Sequence, residues 1–497
     1  MGFVQKDALR SIVISYVGVL LGYVNKGVLF IYILSTEQIG LVNLIVGVGV
    51  LFAQVANLGT FNAVSKFSPF FNDYKERKQS FFILNFSFVF IGILLFSLIA
   101  VLLKNQIVLH YSETSPLFVE YYYWIIPLGI ANVYFVLFDA ILRAQLKNIL
   151  STFLSEFLLR FLVLVLLLLL YFKIINFFQF FVFHCFVYFI PTLILFIYLI
   201  QTGELLLQKS SLKISKKFKR IIISFSLYGY SNAVGALMIV TIDSLMIARY
   251  IGLKETGVYT MIIYLTSAIQ IPYKSLMRII GPLVPQYWKE KKIDKIQNLY
   301  KQTSSISQII VLYAFLLCWC NIDALFSFLP SEYLAGKWVF LFLMIGKIID
   351  MYLGLNGWIL VTSKKNKVDI IFTMILLILV VVLNLWLIPL YGIIGVSIAT
   401  GFSMIIYNLL RMGYLFFHFK IHPFEKNQFS IFILFFVILL IHYSISLGVI
   451  NWVVLVVIRS FLISLLFVGS IVLLKLNIDM NDYLNKFVTI FFKKNKE

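Results

Sequence analysis

The chain has 497 residues, 62% of them hydrophobic and only 12% charged, with a formal net charge of +20. Soluble domains run near half apolar and a quarter charged, so this composition excludes a soluble or secreted enzyme, a disordered tail and a nucleic-acid-binding protein. At about 20 residues per spanning helix there is room for a dozen or more transmembrane helices, and in such a chain the excess of Lys and Arg reports topology.

Taken in chain order, apolar runs predict fourteen helices near 11–34, 39–64, 80–103, 117–142, 149–172, 178–200, 221–249, 257–281, 303–322, 336–361, 369–389, 392–417, 429–448 and 451–474. The first run follows two basic residues, as a signal peptide would. It continues too far without a small-residue cleavage site, and so reads as the first span. The connections STEQIG, KIINF and YG are short and force sequence neighbours to pack antiparallel. Tyr121-Tyr122-Tyr123-Trp124 opens helix 4 as an interfacial aromatic belt. Cys185, Cys318 and Cys320 lie inside apolar stretches and read as buried helix residues with no disulfide or metal role.

Lys and Arg alternate by connection. One side carries 28 of them, including the run Lys209, Lys213, Lys216, Lys217, Lys219 and Arg220 and five from Lys475 onward; the other side has only five, Lys104, Lys173, Arg249, Lys254 and Lys337. The positive side faces the cytoplasm, so both termini are expected there and the helix count is even.

The basic connection divides the chain into a lobe at 1–206 (helices 1–6), a cytoplasmic linker at 207–220 and a lobe at 221–418 (helices 7–12). Two extra helices at 429–474 and a basic cytoplasmic tail at 475–497 follow. A shift of 217 positions lays Val17-Gly18-x-Leu20 on Val234-Gly235-x-Leu237, and Glu37-Gln38-Ile39-Gly40 on Lys254-Glu255-Thr256-Gly257. The fold class expected is therefore an all-α polytopic membrane protein, with two pseudo-symmetric six-helix lobes related by an axis along the membrane normal.

Ionisable groups at membrane depth each need a partner or water. Asp139 with Arg143, Glu156 with Arg160, and Lys347 with Asp350 stand three or four apart and are expected to pair within their helices. Lys26 has no such partner. Ser15, Gly18, Gly22 and Asn25 precede it on a small, polar stripe that should face protein or a wet cavity. The 217-residue shift places Lys26 on Asp243, a candidate counter-charge, proton site or cation site. Lys274 and Arg278 share one face after Pro272; Arg411 reads as an interface anchor, and Arg459 should face another helix or an anionic lipid headgroup. This excess of cations suits a substrate bearing phosphate or diphosphate. There is no phosphate-binding loop for ATP, and the five histidines are scattered, so neither a metal nor a cofactor is expected.

The segment Asn384-Leu-Trp-Leu-Ile-Pro-Leu-Tyr-Gly-Ile-Ile-Gly-Val-Ser-Ile-Ala-Thr400 resembles a stretch of the oligosaccharide and polysaccharide flippases, O-antigen flippases among them, of the multidrug/oligosaccharidyl-lipid/polysaccharide exporter superfamily. It departs from their pattern at Val396 and Ser397. Ile242-Asp243-Ser244 through Tyr259, followed by Pro272 and Pro285, is similar to a second stretch of that family. The resemblance covers helices 1–12, with 13 and 14 a frequent extension. It implies a V-shaped pair of lobes that open alternately to either side, without ATP hydrolysis, moving a polyprenyl-pyrophosphate-linked oligosaccharide for surface polysaccharide assembly. The implied partners are that lipid-linked sugar, membrane lipids and polysaccharide polymerase machinery, with no nucleic acid. The residues' own chemistry would then set Lys26, Asn25, Lys274 and Arg278 on the substrate, with Asp243 as coupling or counter-charge and Arg459 on a lipid headgroup. The alternatives are a lipid II flippase, a multidrug/cation antiporter, for which the cavity cations have the wrong sign, and a membrane polymerase or acyltransferase, for which the outer loops are too short.

Overall fold

The computed structural model describes residues 2–68, 75–145, 147–205, 241–444 and 452–476, with positions 220, 222, 226 and 238. The described residues are helical, with no strand among them. Six helices open it: α1 (Val13–Ile33), α2 (Thr36–Ala56), α3 (Gln79–Leu102), α4 (Pro116–Ala144), α5 (Ile149–Tyr171) and α6 (Phe177–Gln201). Helix α7 is described over 241–250. Helix α8 comes in two parts, Leu253–Ile269 and Ile271–Ile280, and α9 is Ile293–Trp319. Helix α10, Gly336–Leu353 continued by Leu355–Thr362, is one span bent by 52°. The continuous stretch Lys367–Phe419 folds back at Gly392 into α11 (367–391) and α12 (393–419), and α13 (Lys426–Ser444) and α14 (Trp452–Leu473) close the chain. By length and apolarity alone, ten helices among the described residues qualify as spans, or eleven with the bent pair. The difference from fourteen apolar runs comes from α7, described over ten residues only, the broken helices α8 and α10, and the fused α11–α12.

Local chemistry explains the sharp reversals. Ser35 and Gln38 form a reciprocal capping box at the start of α2, and Asn176 and Gln179 form another at the start of α6. The short connections STEQIG and KIINF therefore satisfy the orphan amides of the helices they begin. Gly392 adopts φ 58°, ψ −135°, a conformation a side chain would oppose, and it turns α11 into α12 three residues after Pro389.

Contacts group the chain into two compact units, Met1–Met261 and Ile262–Glu497. The first thus takes α1–α7 and the start of α8. The lobe limits expected near 206 and 221, most of the basic linker, nearly all of the tail and the Val234-Gly235-x-Leu237 half of the repeat lie outside the described residues. The other half of the repeat is visible in the first unit, where α2 crosses α8. A methyl group on Gly40 would strike the Leu253 carbonyl, and one on Gly257 would strike the Thr36 carbonyl. Thr36 and Leu253, like Gly40 and Gly257, are related by the 217-residue offset. The crossing is therefore reciprocal, as a local two-fold axis requires.

Candidate functional site

In the first unit the polar centre is built on two π-helical turns, Val24–Leu29 in α1 and Phe153–Leu158 in α5. Such a turn holds one residue more than an α-turn and re-aims the side chains it carries. Helix α1 packs directly on the α5 turn: Gly18 rests against the backbone of Glu156 so closely that a methyl group would overlap its carbonyl. At the first turn Asn25 is buried, and its Nδ2 donates to the Arg160 carbonyl at 2.7 Å. Lys26 Nζ donates to Asn43 Oδ1 at 2.9 Å. The orientation of Asn43 is fixed because its Nδ2 donates to the Ile39 carbonyl at 3.0 Å and towards Thr260 Oγ1 at 3.4 Å. Asn43 and Thr260 are again 217 positions apart. Arg160 pairs with Glu156 at 2.7 Å, as its spacing predicts, and Arg143 with Asp139 at 2.6 Å likewise. His184 on α6, 4% exposed, lies within electrostatic reach of Lys26. Asp243, 1% exposed, accepts a 2.8 Å hydrogen bond from the Tyr259 hydroxyl.

The second unit holds a different cluster, and two expectations need correction there. Lys347 and Asp350 do not bond each other. Lys347 Nζ reaches the hydroxyls of Thr266 at 2.7 Å and Ser267 at 3.4 Å on α8, and Asp350 accepts from Asn408 Nδ2 at 3.0 Å on α12. The stronger partners come from neighbouring helices, so the three-residue spacing goes unused. Arg411 is not an interface anchor. It is buried against Asp369 at 2.6 Å, with side-chain exposures of 13% and 3%, and its guanidinium stacks 4.0 Å from the Tyr407 ring. The reversal at Gly392 sets the start of α11 beside the end of α12, which brings these residues together across 42 positions. Asn356 Nδ2 donates to Asn408 Oδ1 at 3.1 Å and extends the network to α10.

Lys274 and Arg278 are exposed on the second part of α8, and Lys274 lies within electrostatic reach of Lys347 and Asp350. Arg459 lines an apolar pocket with Ile438, His442, Leu462 and Leu466, and donates to the Cys320 carbonyl at 3.4 Å. Sequence reading missed Asn43, the engagement of Arg160 with α1, and His184. The 217-residue offset pointed to Asn43 through Thr260; the π-helical turns left no trace that could be read in advance.

No family model matches the chain. It is 22% identical over 204 residues, 41% of its length, to the "Probable low-salt glycan biosynthesis flippase Agl15" of Haloferax volcanii, and spans 43% of that curated relative in the match. Among solved structures it superposes on a lipid II flippase, MurJ, in an inward closed conformation, with a TM-score of 0.68 at 16% identity, covering 93% of this chain and 98% of the other. A multidrug resistance MATE family transporter of the MOP superfamily gives a TM-score of 0.58 at 14% identity, covering 82% and 97%. The chain has the fold of these two membrane transporters. With ten helices among the described residues long and apolar enough to span, the protein is a multi-pass membrane protein. Within this fold the two polar clusters sit one in each unit.

Proposed function

We propose that the protein is a flippase that carries polyprenyl-pyrophosphate-linked oligosaccharide units across the cytoplasmic membrane for assembly of a surface polysaccharide. The carrying observation is Lys26, a cation on a membrane-spanning helix, set in a π-helical turn and bonded to the neutral amide oxygen of Asn43. A site of this sign is costly inside a membrane and is stabilised by an anion. The curated relative's description as a glycan biosynthesis flippase supports the same substrate class.

In this reading Lys26 and Asn25 in the first unit, and Lys274 and Arg278 in the second, hold the diphosphate and acidic sugars. Asp243 serves as counter-charge or coupling group, and Arg459 meets a lipid headgroup. The work is translocation by alternating access: no covalent bond is made or broken and no ATP is hydrolysed, so the protein is a transporter. It resides in a bacterial cytoplasmic membrane with both termini inside, beside the polymerase machinery that consumes its product. A cationic drug would be repelled by the same lysines.

The test is deletion of the gene with analysis of surface glycan and lipid-linked intermediates. Loss of the glycan, with sugar-lipid trapped on the cytoplasmic face, supports the reading, and complementation should fail for Lys26→Glu and Lys274→Glu. Drug sensitivity alone, lysis with accumulated lipid II, or glycan export restored by both charge reversals would refute it.

A further inference from the structure

Two tryptophans of the second unit are used in opposite ways. Trp288 donates its indole N–H to the Ile359 carbonyl at 3.1 Å and packs its ring 5.1 Å from that of Phe419. Trp358, on the part of α10 beyond the 52° bend, is 43% exposed. Among the described residues its ring packs on no other ring and its side chain makes no hydrogen bond; the backbone carbonyl alone accepts, from Thr362. Its backbone is nevertheless fixed, because Leu355, Ile359 and Leu360 are buried in one cluster with Met277 and Val284.

A glycine decides where the ring lies. A methyl group on Gly281 would stand 2.9 and 3.0 Å from Cε2 and Cζ2 of the Trp358 indole. Gly281 ends the second part of α8 with helical φ and ψ, seven residues after Lys274 and three after Arg278, so the three share one helix face. Positions three apart on such a face have Cβ atoms about 5–6 Å from each other, which sets the indole edge beside Arg278. Lys274 and Arg278 are exposed there. Two cations on one face of a membrane helix belong against water rather than acyl chains, and the indole borders the same water.

The chemistry of the three side chains is complementary to one kind of ligand. A sugar ring presents a patch of C–H groups on its face and hydroxyls at its rim. The indole face carries the negative end of the ring quadrupole and attracts those hydrogens, and its N–H can donate to a hydroxyl. The ammonium and guanidinium take phosphate oxygens. In a polyprenyl-diphosphate sugar the first sugar is bonded directly to the diphosphate, so a ring one helical turn from the cations stands where that sugar must lie.

We infer that Trp358 is the platform on which the first sugar of the substrate stacks while Lys274 and Arg278 hold the diphosphate, and that it is a specificity-determining residue. The inference rests on the flippase reading and adds to it recognition of the sugar as distinct from its phosphates.

The experiment is binding to the full-length protein in detergent of two probes, undecaprenyl diphosphate-N-acetylglucosamine and undecaprenyl methyl diphosphate, which keeps the charge and lacks the sugar. The wild type should prefer the sugar-bearing lipid by about tenfold, the size of one aromatic contact at the centre of a binding site. Trp358→Leu loses the preference, Trp358→Phe keeps the larger part of it, and Lys274→Gln weakens both lipids while their ratio stands. Fluorine NMR of the wild type labelled with 5-fluorotryptophan reads the contact without altering the fold. The Trp358 signal, the one missing from Trp358→Phe, should shift with the sugar-bearing lipid and stay in place with the methyl ester. Equal binding of the two lipids by the wild type, a preference kept in a folded Trp358→Leu variant, or a Trp358 signal that answers both lipids alike overturns the inference, and Trp358 is then an interfacial anchor. Binding of neither lipid by the wild type removes the flippase reading, and this inference with it.

Discussion

The two units each bury charge, and they resolve it differently. In the second unit Arg411 meets the carboxylate of Asp369 directly, while Asp350 is held by Asn408 and Lys347 by two hydroxyls. In the first unit Glu156 pairs with Arg160, Lys26 bonds the Asn43 amide, and polar atoms of Asn25, Arg160 and His184 stay without partners among the described residues. Charge answered by charge braces helices. In both units a guanidinium meets a carboxylate and a buried amide oxygen, Asn356 Oδ1 or Asn25 Oδ1, has no partner among the described residues; the pairs differ in burial, Arg411 and Asp369 being 13% and 3% exposed and Arg160 and Glu156 30% and 35%. We propose that the second cluster serves stability and the first binding, and each assignment can be broken separately.

The largest effect is expected from the brace. Arg411→Ala leaves Asp369 buried without its partner at the start of α11, beside the end of α12, and the loss of one partner of a buried pair costs about 3–5 kcal/mol. Thermal unfolding in detergent should show a large drop in melting temperature and in folded yield. The double change Arg411→Met with Asp369→Leu should recover most of it, since apolar residues of similar volume replace such pairs at little cost. If Arg411→Ala melts like the wild type, the second cluster is not a brace.

Next in size is the crossing of α2 and α8. A Val at position 257 must push against the Thr36 carbonyl, which is backbone and cannot turn aside. Overpacking of this kind costs about 1–3 kcal/mol. The offset makes a sharper prediction: Gly40→Val should destabilise by a similar amount, because the contact is reciprocal. Melting curves for the two variants that differ widely would deny the local two-fold relation.

How much of this was legible in the sequence follows from the range of the interactions. The helices, the two capping boxes and the pairs Asp139–Arg143 and Glu156–Arg160 are local, within four residues, and the residue types alone announce them. The Gly40–Gly257 crossing was half legible, since the 217-residue shift paired the glycines without saying that they touch. Arg411 misled because its partner is 42 residues away, beyond a chain reversal. Lys347 and Asp350 misled in the opposite sense: spacing permitted a bond that Thr266 and Asn408, from other helices, pre-empted. Of the candidate site, Lys26 and Asn25 were visible as polar residues on a small-residue stripe, but the π-helical turns depend on packing between α1 and α5 and have no local code.

Lys26→Met gives a smaller change in stability and a larger one in transport. It strands Asn43 Oδ1, whose own donors are already committed, at a cost of about 1–2 kcal/mol. Glycan export should nevertheless fall to background, whereas Lys26→Arg should retain part of it. Equal losses of stability and export across the two variants would make Lys26 a brace like Arg411 and erase the contrast between the units.

The smallest effect marks the lower limit of what a charge contributes here. Glu290 and Lys292 form an ion pair at 2.6 Å in the connection before α9. Hydrogen bonds from Lys292 and then Gln286 hold the Glu290 carboxyl below its ordinary range, and Glu290 in turn raises Lys292. A carboxyl lowered in this way adds stability above its ordinary value and loses it as pH falls through the folded value. Both groups stand in the aqueous connection, where water and salt screen the attraction and ordering the side chains offsets what remains. Glu290→Gln should therefore leave the melting temperature unchanged at neutral pH and across the acid limb. A measurable drop there would mean that charges outside the membrane also brace this fold, and that burial is not what separates Arg411 from the rest.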